Sequence, residues 1–159
     1  MKTATIQELK QELHNTPPGP LLELCLRLAK FKKENKELLT YLLFEAHDAE
    51  GYIQSVKDII DADFAELPKS TPYHTKKSLR KTLRTINKYI RYTGDKQTEA
   101  ALLIYFCANM KRTIPFKKNT VLLNLYQVQV KKCHTAISGL HEDLQFDFSQ
   151  EINALSAGI

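Results

Sequence analysis

Histidine close to carboxylate is where this chain could hold a metal or move a proton. Glu45-Ala-His47-Asp48-Ala-Glu50 sets His47 and Glu50 three residues apart. On a helix that spacing puts both on one face, as a metal pair needs. One pair supplies two ligands at most, and no Glu-x-x-His or His-Glu-x-x-His motif occurs in the chain. We therefore expect no metal site. Cys133-His134 sets a thiol beside a base. Neighbours on a helix diverge by ~100°, so these two do not read as nucleophile and base. His134 and His141 would share a face only if one helix ran unbroken past Gly139. Cys25, Cys107 and Cys133 lack metal spacing and read as small buried hydrophobes. The chain has no Walker loop, no dinucleotide glycine motif and no Gly-x-Ser-x-Gly elbow, and its five glycines do not cluster. We expect no catalytic residue and no cofactor. Ser70, Thr71, Thr75 and Ser78 lie beside Lys76 and Lys77, where turn and N-cap duty explains them.

Charge carries the stronger signal. Between Thr75 and Lys132 stand fourteen Lys and Arg against two acids, Asp95 and Glu99, a net +12. Residues 1–74 carry −3 and residues 133–159 carry −4, so the overall +5 hides a strongly basic middle. Such asymmetry points to a polyanionic partner or to an internal electrostatic contact. The segment Thr75 to Thr93 concentrates it. At ~100° per residue, Leu79, Leu83, Ile86 and Ile90 fall in one narrow stripe. Lys77, Arg80, Lys81, Arg84, Lys88 and Arg91 fall in an arc nearly opposite, with Tyr92 at its edge. Lys96, Lys111 and Arg112 extend the patch if the next helix folds back antiparallel. A merely solvated face would mix its signs. Like charges at i,i+4 repel by a few tenths of a kcal/mol per pair, so some anion should offset them. Tyr73, Tyr89, Tyr92 and Tyr126 lie at segment ends or beside polar faces, and Tyr with Arg is typical of interfaces. The acids Glu142, Asp143, Asp147 and Glu151 near the C-terminus are one internal alternative.

The elements that must position these residues are helices. Apolar residues recur with a helical period nearly everywhere, and strand-like alternation is scarce. Thr5-Ile-Gln-Glu8 is a capping box that starts a short helix over 5–14. Thr16-Pro-Pro-Gly-Pro20 breaks the chain, and a helix is expected from Leu21 to Lys32. Asn35 is expected to cap a third helix that runs to Asp48. Gly51 marks a junction before a fourth, ending at Leu67. Pro68 to Pro72 is a linker. The basic helix then ends at Gly94 as a left-handed cap. Asp95 caps a helix to Arg112, Pro115 opens another to Ser138, and an acidic helix spans 140–157.

A shift of 62 positions lays Leu21 on Leu83, Leu24 on Ile86, Leu28 on Ile90 and Phe44 on Phe106. We therefore expect one all-α domain over 1–159 of seven or eight helices. They would form a short stacked superhelix or irregular bundle, with a weak 62-residue repeat relating three-helix subunits 20–67 and 75–139. Leu38–Phe44 and Ala100–Ala108 are apolar almost all round, so both should be covered on most sides. No apolar run reaches the ~20 residues that span a bilayer. The polar N-terminus reads as no secretory signal, and the odd cysteine count favours the cytoplasm.

Function reads as a non-enzymatic helical module that binds an acidic protein partner. Its contact residues would be Lys77, Arg80, Lys81, Arg84, Lys88, Arg91, Tyr92 and Lys96. Nucleic-acid binding without sequence specificity through the same ridge is the alternative. A third reading is an enzyme with an inter-helix pocket lined by Glu37, His47 and Glu99. A fourth is a homodimer formed through the last helix with Phe146 and Phe148.

Overall fold

Short-range chemistry sets most of the helix ends. The computed structural model describes residues 2–68 and 71–157, the Lys118 side chain excepted. In chain order it has α1 (Ile6–Asn15), α2 (Pro18–Phe31) and α3 (Lys33–Thr40), then one π-helical turn (Tyr41–Glu45). There follow α4 (Ala49–Ala65), α5 (Pro72–Thr93) and α6 (Lys96–Thr113), a 3-10 turn (Phe116–Lys118), α7 (Thr120–Ser138) and α8 (Glu142–Ser156). The fold is all-α, with no strand among the described residues.

The Thr5 capping box is present: the Glu8 amide donates to Thr5 Oγ1, and the Thr5 amide donates to Glu8 Oε2 at 2.6 Å. Those bonds hold the Glu8 carboxyl below its ordinary range. Gly94 closes α5 with φ +62° and Asp95 caps α6, both as expected. Three ends differ. Asn35 does not cap α3, which already begins at Lys33; its side-chain amide instead donates to the Leu28 carbonyl at 2.8 Å. Asp48, not a junction at Gly51, starts α4 by accepting from the Gly51 amide at 2.9 Å. Pro115 does not open α7, since the chain first makes the 3-10 turn and Asn119 then caps at Leu122. Ser70 lies outside the described residues.

The described chain gathers into two units, residues 1–44 and residues 45–159. In the first, α2 packs on α3, yet no described residue is buried. The coverage expected of Leu38–Phe44 is incomplete: Leu38, Leu39 and Tyr41 are half-buried, while Leu42, Leu43 and Phe44 are 56–68% exposed.

The second unit owns the core. α6 lies at its centre and packs against α4, α5, α7 and α8. Leu102, Leu103, Ile104, Phe106, Cys107 and Met110 are all buried, so this helix is apolar on most sides because neighbours cover most sides. Val56, Ile60 and Phe64 of α4 and Leu79, Leu83 and Ile86 of α5 close one flank. Leu122, Tyr126 and Cys133 of α7 with Ile152 and Leu155 of α8 close the other. Each large apolar side chain that leaves water contributes roughly 1.5–3 kcal/mol. Among the described residues no helix is long and apolar enough to cross a membrane.

Candidate functional site

The basic ridge is built on the firmest support available to it. α5 buries Thr75, Leu79, Thr82, Leu83 and Ile86 on one side, and Ile90 is half-buried. Thr82 Oγ1 donates to Asp63 Oδ2 of α4 at 2.7 Å, and Tyr52 Oη donates to the Tyr89 carbonyl at 3.1 Å. Thr71 caps the N-terminus and Thr75 Oγ1 ties back to the Pro68 carbonyl at 2.7 Å. With that side fixed, helical geometry turns the Lys and Arg side outward.

Lys77, Arg80, Lys81, Arg84 and Arg91 are exposed. None of these five has a hydrogen bond or ion pair among the described residues. Lys88 is half-buried with its Nζ 4.9 Å from the Tyr89 ring centre, and Tyr92 meets that ring edge-on at 6.1 Å. Lys96 belongs to a local pair, with Nζ 2.6 Å from Glu99 Oε2. Lys111 and Arg112, expected to extend the patch, each have a partner on α6 or at the end of α8. Lys111 Nζ is committed to the carbonyls of Ala154 and Ala157, at 2.6 and 2.5 Å, where it closes the end of α8. Arg112 donates to Asn109 Oδ1 at 2.6 Å. A surface hollow of about 530 Å³ opens on α5 among Tyr73, Lys76, Lys77, Arg80 and Arg84, with buried Leu83 at its base. Tyr73 is 71% exposed.

The other sequence candidates are scattered. His47 is exposed in the turn ahead of the Asp48 cap, and Glu50 sits in the first turn of α4. They therefore do not share a helix face. His134 lies on α7, while His141 caps α8 after the break at Ser138. Cys133 is buried and its neighbour His134 is exposed. Glu37 pairs with Lys33 at 3.7 Å and Glu99 with Lys96. No group of three or more metal-capable side chains occurs among the described residues. A second hollow of about 320 Å³ near Leu67, Pro72, Ile114 and Pro115 has an apolar lining without a titratable side chain.

Two arrangements escaped the sequence because their members lie far apart along it. Cys107 and Cys133 bring their sulfurs to 3.9 Å inside the α6–α7 contact. The hydrogen bond between them and their burial push the Cys107 thiol up, so it stays protonated and unreactive. Asp61 accepts from Tyr105 Oη at 2.7 Å, which raises the Tyr105 phenol, and Asn109 and Arg112 continue the chain.

No known family model, curated protein or solved structure matches the chain. Function has therefore to be argued from the ridge itself.

Proposed function

We infer that this chain is a non-enzymatic helical interaction module whose α5 ridge binds an acidic protein partner. One observation carries this: five exposed cations of a single helix, Lys77, Arg80, Lys81, Arg84 and Arg91, have no anion beside them among the described residues. Same-sign charge on one arc costs stability unless an anion arrives, and a rigid helix presents that charge at fixed spacing. Tyr92 and Tyr73 flank the arc with aromatic surface suited to a protein contact. Lys77, Arg80, Lys81, Arg84 and Arg91 have no carboxylate or imidazole at hydrogen-bond distance among the described residues, so this arc suits binding better than proton transfer. Reduced Cys107 and Cys133 suit a cytoplasmic module.

Fluorescence anisotropy of a labelled glutamate-rich peptide tests this. Binding should weaken about tenfold in the double variant Arg80→Glu, Arg84→Glu, with helicity unchanged by circular dichroism. Unaltered binding would sink the role assigned to the ridge. Labelled duplex DNA provides the counter-probe. Tight DNA binding with a log–log salt slope of about −0.9 per phosphate, beside an unbound peptide, would replace the protein partner by a nucleic acid.

A further inference from the structure

The acidic partner of the ridge is where the molecule says most. α8 carries Glu142, Asp143, Asp147 and Glu151 and no Lys or Arg. Asp143, Asp147 and Glu151 follow one another every four residues, so they form a row with about 6 Å of rise per step. All three are exposed. Phe146 stands beside that row, 76% exposed. On α5, Lys76, Arg80 and Arg84 also recur every four residues and line the 530 Å³ hollow. Cation row and anion row thus share one spacing. The aromatic ring beside the acids corresponds to an open hollow with Leu83 at its base and Tyr73 on its wall.

The two rows belong to one chain, but α8 is anchored elsewhere. Ile152 and Leu155 are buried, and the helix packs on α6 and α7. Tyr126 Oη donates to the Leu155 carbonyl at 2.7 Å, and Lys111 holds the carbonyls of Ala154 and Ala157. None of the four acids pairs with a Lys or Arg among the described residues; Asp143 touches only His141, at 3.4 Å. Complementary faces held apart within one copy are free to meet between copies.

We propose that a second copy of this chain is an occupant of the ridge. The α8 row Asp143, Asp147 and Glu151 of one copy lies along Lys76, Arg80 and Arg84 of another, and Phe146 enters the hollow. This rests on the ridge being an acidic-partner site, and it names that partner. Charge complementarity fixes which faces meet, and the buried aromatic supplies the anchor that exposed ion pairs alone do not.

Sedimentation velocity of the full chain at low salt, over a range of loading concentrations, decides it. The wild-type mass should rise with concentration and fall back when salt screens the rows. Arg80→Glu with Arg84→Glu should abolish the rise, as should Asp143→Lys with Asp147→Lys. An equal mixture of those two variants restores opposite charge at both contacts and should associate again. Phe146→Ser should weaken association without touching charge. If the lysine variant loses helicity, the ridge variant, Phe146→Ser and the salt series still decide. A wild type that stays monomeric at every concentration overturns the proposal, as does association that survives both reversals. A monomer that still binds the glutamate-rich peptide would remove only the second copy and keep the ridge's function.

Discussion

Individual buried polar atoms are where this molecule is most easily tuned. Tyr126 is buried and donates to the Leu155 carbonyl. Burial pushes its phenol up to about 12. A phenol raised by folding stabilises the fold fully below the ordinary value near 10. That contribution fades as pH climbs through the window from about 10 to about 12. Tyr126→Phe should therefore cost about 1 kcal/mol at neutral pH, yet lose less further stability in urea melts above pH 10 than the wild type does. Tyr105, also raised, keeps part of the alkaline loss in the variant. Gln129 shows the opposite case. Its Oε1 is buried on α7 with no partner among the described residues. Methionine there keeps the volume and removes the orphan acceptor, so Gln129→Met should raise the urea midpoint by about 1 kcal/mol equivalent. The sequence placed Tyr126 among the interface-type tyrosines, whereas the structure buries it, because its neighbours come from other helices.

Helix ends were the most legible features of the elements. Thr5, Gly94 and Asp95 act through bonds spanning three or four residues, so their spacing alone announces them. Gly94 has φ +62° and nothing near its missing Cβ. Gly94→Ala should thus cost about 1 kcal/mol from backbone strain alone, read as a lower denaturation midpoint with unchanged ridge binding. Asn35 and Pro115 misled because each residue type has more than one local use. Asn35 could cap a helix or lie within one, and α3 begins ahead of it at Lys33, leaving its side-chain amide to donate to Leu28 of α2. Pro115 could open a helix, yet Asn119 offered the side-chain acceptor that proline lacks. The two-faced character of α5 was plain from its period. Commitment of Lys111 to the end of α8 depends on a residue more than forty positions away, which no period encodes.

At the scale of the whole molecule, stability is unevenly spread. Among the described residues, every buried one lies at or beyond Tyr52, although residues 1–44 are largely helical. Helices without packing are marginal in water. Hydrogen exchange on the intact chain should show amides of α6 and α7 protected to the level of global unfolding. Amides of α1–α3 should exchange by local opening, orders of magnitude faster. Equal protection in both regions would show that apolar surface in residues 1–44 is covered in solution. Here composition was a poor guide: Leu38–Phe44 and Ala100–Ala108 look alike as strings, yet only the second is enclosed. Enclosure is a property of neighbours, so apolarity states a need and leaves open whether it is met.

That unevenness also sets the order in which the chain would be dismantled. A protease cuts what has already come undone, so a stretch held by little is cut first. Lys30, Lys32, Lys33 and Lys36 stand exposed in that stretch, where trypsin would begin. The surviving remnant would retain α4 to α8 and with them the cation row, the hollow and the acid row together. Clipping would change how long the molecule lasts before it changes what the molecule recognises.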